Sequence, residues 1–241
     1  VMRKTTYTLN LIKKYYEFIK YCQKPDGKFH NFVNYQREFN DKAESEDSFG
    51  RAIWALGYVI AAEHLPDEIR QGAFKIFNTA LKHFSELKSL QAVSFTIVGL
   101  SYLLQKEKDD RLIKILDALA YKLVTQYRAT TSNPENNGWL WFEDCLTYSN
   151  YKLSEALFRA YKITKNKEYD KKDFFAPIGQ DGWYFRNGKR AYYDQQPEDT
   201  ATAVEAQVAA FEATKKTKYK NNAEFIFNWF LGKNHLKQMV Y

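Results

Sequence analysis

The chain has 241 residues, enough for one large domain with a substantial core, and its 45% hydrophobic and 27% charged content is ordinary for a globular protein. Net charge is +7, yet the basic residues scatter over helix faces and turns without a dense run, which argues against a nucleic-acid partner. No stretch approaches the ~18 apolar residues of a membrane span, and no charged-then-apolar signal pattern opens the sequence.

Two cysteines, Cys22 and Cys145, make neither a disulfide framework nor a CxxC metal site, so a reduced, cytoplasmic compartment is expected. His30, His64, His83 and His235 lie far apart without HxxxH spacing, and no metal or cofactor is expected.

In chain order, apolar residues at Leu11, Ile12, Tyr15, Tyr16, Phe18, Ile19 and Cys22 predict a first helix over 9–23, ended by Pro25-Asp26-Gly27. Ser45 is an N-cap candidate for a helix over 46–64, in which Asp47 and Arg51 share a face. A third helix should start behind Pro66 and run to about residue 87. Residues 90–105 are apolar on every side and predict a fully surrounded inner helix. An amphipathic helix follows over 111–130, and the short turns between these three predict antiparallel neighbours. Further helices are expected over 153–163, from the acids Glu198 and Asp199 behind Pro197 through 202–214, and over 218–231, the last closed by Gly232. No strand pattern of useful length appears.

Three loops stand out against this helical frame. Each begins with Asp/Asn-Gly, carries an aromatic cluster with polar groups, and then launches a helix: residues 26–51, 137–155 and 181–197. Aromatic faces beside carboxylates suit a sugar, because the apolar face of a pyranose stacks while carboxylates take hydroxyls or move protons. Candidate catalytic groups are Asp47, Glu143, Asp144 and Asp194, each in or beside an aromatic loop. Candidate substrate-binding groups are His30, Tyr35, Arg51, Trp141, Tyr148, Asn150, Trp183, Gln195 and Gln196. If alternate helices line the inside of an (α/α) toroid, their N-termini share one face and the three loops converge there.

The strings GKFHNF, SEDSFGRAIWALG, GWLWFEDCLTYSNYKLSEAL, FFAPIGQDGWY, DQQPEDTATAV and FNWFLGKN are spread between Gly27 and Asn234. In them the sequence resembles a bacterial family of six-hairpin glycosidase-like domains found C-terminal to glycosyltransferase domains. The resemblance implies an all-α fold, an (α/α)6-type toroid as one domain over residues 1–241. It also implies a carbohydrate substrate or ligand, and a glycosyltransferase domain or protein as partner. The family carries a full helix where this chain has only the charged residues 165–173. It also continues past the equivalent of Tyr241 with a further loop and helix. One internal and one C-terminal helix are therefore expected to be missing, with consecutive Cα atoms near 169–172 farther apart than the ~3.8 Å of a trans peptide.

The leading expectation is a glycoside hydrolase-like enzyme, in which one carboxylic acid and one carboxylate flank the scissile bond. Glu143, between Phe142 and Asp144, is the candidate for an acid raised by burial and a like charge. A glycan-binding accessory module would use the aromatics and amides but no activated acid. A sugar epimerase is the third reading, with only His30 well placed. No glycine-rich phosphate loop is present, so the chain is not itself a nucleotide-sugar transferase.

Overall fold

A computed structural model describes residues 6–41, 44–136, 138–167, 178–179, 181–191, 194–234, 237 and 239. The spacing expected at 169–172 lies outside the described residues. Eight α-helices account for most of them: α1 (Thr6–Cys22), α2 (Glu46–Ala61), α3 (Asp67–Ala80), α4 (Leu90–Leu104), α5 (Asp110–Thr131), α6 (Tyr151–Thr164), α7 (Pro197–Thr214) and α8 (Thr217–Phe227). The strands β1 (Cys145–Leu146) and β2 (Tyr184–Phe185) form one small antiparallel pair. Among the described residues no helix is long and apolar enough to cross a membrane. Packing divides the chain into two units, 1–119 and 120–241, which are described separately.

In the first unit α2 is the central element, with α3 on one side and α4 on the other. Ser45 caps α2 by accepting the Ser48 amide at 3.2 Å, as its position before the apolar stripe predicts. Helix α4 is buried on nearly every side, in line with its unbroken apolar sequence. The short turns around α3 predict that α4 pairs with α3, but its close partner is α2. Small residues explain the difference. A Cβ on Gly57 would sit 2.3 Å from the Gly99 carbonyl oxygen, and one on Gly50 would sit 2.8 Å from the Ala92 Cα. The two backbones therefore touch, in parallel orientation, since Gly50 meets Ala92 and Gly57 meets Gly99.

In the second unit α7 lies between α6 and α8. Ala203, Ala206, Ala209 and Ala210 are all buried along it, packed with Tyr151 and Ile226 at one end and with Phe158 and Tyr219 at the other. Ser149 meets Glu198, Lys152 meets Glu205 and Lys162 meets Glu212, so α6 and α7 also run parallel. Lys152 is fully buried between Glu155, at 2.8 Å, and Glu205, while Arg159 reaches Glu155 at 2.6 Å. Helix α7 begins at Pro197, with the acids Glu198 and Asp199 in its first turn as expected, while α6 begins two residues before the expected Leu153, at Tyr151. Helix α8 ends earlier, at Phe227; successive i→i+3 bonds from Trp229 to Gly232 carry the chain onward as tight turns.

Two measurements test this packing. Gly57→Ala gains about 1 kcal/mol of helix propensity, but overpacking a backbone contact costs about 1–3 kcal/mol or more. A net loss in urea denaturation is expected, and an unchanged or higher midpoint would show that α2 and α4 can part. Lys152→Ala leaves the buried Glu155 carboxylate short of a partner and should cost about 3–5 kcal/mol by the same measurement.

Candidate active site

The first aromatic loop leaves α1 through a turn at residues 24–27. Gly27 has φ +94°, and a Cβ there would lie 2.4 Å from the Thr79 carbonyl oxygen, so only glycine fits. Phe29 is buried edge-on against Phe49. A short hairpin then bridges Val33 to Phe39, with Tyr35 fully exposed at its tip. His30 stacks flat on Phe39 at 3.8 Å, and its Nδ1 lies 2.6 Å from Asp41 Oδ2. Asp41 Oδ1 accepts the Asn31 and Phe32 amides at 2.8 and 2.6 Å. Burial would raise the Asp41 pKa, but those amides and His30 outweigh it and hold the carboxyl below its usual value. Asp47 and Arg51 form the ion pair their spacing predicts, at 2.9 Å, with the Arg51 guanidinium 4.7 Å above the Phe95 ring.

In the second unit, loop 138–150 is fastened to α5. The Phe142 carbonyl accepts from Thr130 Oγ1 at 2.8 Å and Gln126 Nε2 at 3.2 Å, while its buried ring packs on Tyr127. Trp141 packs edge-on against Phe142, and the Trp139 indole N–H donates to the Glu143 carbonyl at 2.6 Å. Strand pairing of Cys145 with Phe185 and of Leu146 with Tyr184 ties this loop to the next. That pairing sets Trp139 against Tyr184 at 5.3 Å and Tyr148 near Trp183 at 6.3 Å. Arg186 donates its amide to the Asp144 carbonyl, and its guanidinium pairs with the Asp144 carboxylate at 3.2 Å.

Beyond β2, Asp181, Asp194, Gln195, Gln196 and Pro197 line an open depression of about 500 Å³. Thus Asp144 and Asp194 sit on two tied loops with Tyr148, Trp183, Gln195 and Gln196. Glu143 is half-buried, and the Asp144 side chain is 70% exposed. Asn150 is buried, and both ends of its amide bond the Thr147 backbone at 2.9 Å. The side chain holds the loop. Asp47, Arg51, His30 and Tyr35 belong to the first unit.

Two carboxyls beside these loops escape a reading of the sequence. Glu198 accepts a hydrogen bond from Ser149 Oγ, joining the start of α7 to the start of α6. Asp199 is only 4% exposed, and its Oδ1 has no hydrogen-bond partner among the described residues; nor has Thr200 Oγ1 beside it. Burial, and then the neighbouring Glu198 charge, push Asp199 up to about 7, against the opposing pull of Asn150 and Ser149. In Pro-Glu-Asp these acids look like ordinary first-turn helix acids, so only burial reveals them. Asp41 is hidden for a similar reason, eleven residues beyond the histidine it holds.

The helical hairpins define an all-α fold of the (α/α) toroid class. Among solved structures, the chain is similar to the crystal structure of an unsaturated glucuronyl hydrolase specific for heparin. The TM-score is 0.59 at 15% identity, over 93% of this chain and 68% of that one. No family model matches the sequence. No curated protein matches it either.

The Asp199 carboxyl sets a pH dependence. Its folded pKa lies above the unfolded 3.8, so it favours the folded state fully below that value and loses its contribution as pH rises towards 7. At 1.36 kcal/mol per unit, that loss amounts to about 4 kcal/mol as an upper bound. Asp199→Asn should flatten the melting temperature between pH 4 and 7 and raise it at pH 8. An unchanged profile would show that Asp199 ionises as easily folded as unfolded.

Proposed function

We propose that the chain is a carbohydrate-active domain, a glycoside hydrolase-like enzyme acting on an oligo- or polysaccharide by carboxylate acid/base chemistry. The observation that carries this reading is the β1–β2 pairing. It joins two aromatic loops so that Tyr148 and Trp183 lie near each other on loops that also bear Asp144, Asp194, Gln195 and Gln196. Rings of this kind stack the C–H face of a sugar, while the carboxylates and amides meet its hydroxyls. Glu143, Asp144 and Asp194 are the proposed acid/base groups of this unit, and Asp47 that of the first. The hydrolase named for the similar fold supports the same direction, and its named activity reaches this chain only as part of this proposal.

A non-catalytic glycan-holding module serving a glycosyltransferase partner is the second reading. The Asp144–Arg186 pair favours it, because a carboxylate neutralised by a guanidinium is a poor proton donor. In either case the proposed location is the cytoplasm.

Both readings are tested by titrating neutral and uronate-containing oligosaccharides against tryptophan fluorescence while assaying release of reducing ends. Trp183→Ala should weaken binding by about 1–3 kcal/mol. Turnover that is lost in Glu143→Gln, Asp144→Asn or Asp194→Asn with binding intact supports the enzyme. Binding without turnover of any oligosaccharide supports the module, and absence of binding removes both.

A further inference from the structure

We propose that His30 and Asp41 form an acid–base centre in the first unit, with His30 Nε2 as the atom that exchanges a proton with the hydroxyl of a bound ligand. The argument for this centre rests on the first unit alone.

Three observations carry it. First, Asp41 is fixed as a carboxylate. Its side chain is 6% exposed, its Oδ1 is held by the Asn31 and Phe32 amides, and its pKa lies below the usual value. An ionised carboxylate has no proton to give, so the 2.6 Å contact at Oδ2 places the imidazole proton on Nδ1. Second, the ring cannot swing away, because its face lies on Phe39 at 3.8 Å with 9° between the planes, and Tyr21 supports Phe39 from 4.9 Å. Third, Nε2 has no hydrogen-bond partner among the described residues, while the His30 side chain is 27% exposed. His83 makes the contrast within the same unit: its Nδ1 faces Glu86 and its Nε2 faces the Asp26 carbonyl, leaving neither nitrogen for a ligand.

A carboxylate on Nδ1–H selects the tautomer whose Nε2 lone pair is basic and supports the imidazolium once it forms. Nε2 takes the proton of the ligand hydroxyl, leaving the negative charge on that oxygen and the positive charge on the ring, where it lies against Asp41; in the reverse direction the same proton returns to the same oxygen. His30 is thus the catalytic residue and Asp41 a positioning residue. The exposed rings of Phe32 and Tyr35 on the same hairpin supply apolar area for the ligand.

The experiment uses the whole chain, 15N-labelled on histidine, with diethyl pyrocarbonate as the probe of unprotonated imidazole nitrogen. Long-range 1H–15N spectra should show His30 with its proton on Nδ1, and mass spectrometry should find His30 carbethoxylated. In Asp41→Asn both tautomers should appear, and the His30 modification rate should fall about fivefold or more, with the exposed His64 as internal reference. The Asn31 and Phe32 amide shifts report whether the hairpin survives. Asp41→Glu keeps the carboxylate and should keep the tautomer, so it decides the matter if the asparagine variant loses the hairpin. A proton on Nε2 in the parent protein overturns the proposal. So does a tautomer and rate unmoved by Asp41→Asn, or loss of the Nδ1–H tautomer in Asp41→Glu.

Discussion

Each unit depends on two parallel helices placed almost backbone to backbone, and parallel helices carry an electrostatic cost. Their N-termini lie at the same end, so two sets of unsatisfied amides and two positive dipole ends crowd together. The chain answers with acids that cap across the pair rather than within a helix. Glu46, in the first turn of α2, accepts the Lys88 and Ser89 amides at the start of α4, at 2.8 and 2.6 Å. Glu198 and Asp199, in the first turn of α7, do the equivalent for Ser149 and Asn150 at the start of α6. The close approach and the crossed capping need each other. Without Gly50, Gly57 and Gly99, or the alanines of α7, the first-turn acids could not reach the neighbouring helix.

Small residues stand where the α2 and α4 backbones meet, and aromatic pairs such as Trp54 on Phe95 and Tyr58 on Tyr102 pack beside them. The loop before α6 is held at helix ends: Asn150 closes on Thr147 and Ser149 bonds Glu198 at the starts of α6 and α7, while Phe142 hangs from Thr130 and Gln126 in the last turns of α5. Further along α6 and α7 the buried Lys152 and Glu155, with Arg159 and the more exposed Glu205, form a nearly neutral cluster. Such a cluster contributes little net stability against an apolar replacement, but removing one member leaves a bare charge. Its effect is to fix the register of α6 on α7, and with it the seating of Ser149 under Glu198.

Much of this was legible in the sequence because it rests on local signals. Ser45 before an apolar stripe reads as a cap, the continuous apolar run of α4 reads as an inner helix, and Asp-Gly with clustered aromatics reads as a loop. What was hidden depends on partners distant in sequence. Pairing of α4 with α2 instead of α3 requires knowing that Gly57 will face Gly99, forty-two positions away. The bonds that Asn150 makes to the Thr147 backbone are hidden too, since composition cannot say whether an amide is already engaged.

Asp41 and Asp199 show why identity and burial together still do not determine a carboxyl's state. Both are withdrawn from water, and burial acts on both in the same direction. Asp41 faces two amides and a histidine, and these donors outweigh burial. Asp199 also faces amides, but Glu198 beside it adds a like charge, one oxygen lacks a donor, and burial wins. The outcome follows from donor count against neighbouring charge. One aspartate is thereby kept ionised, able to hold an imidazole in a single tautomer, and the other kept mostly neutral up to about pH 7. A fold that sets helix starts side by side can make either kind of group from the same residue, by deciding whether a second acid enters the cap.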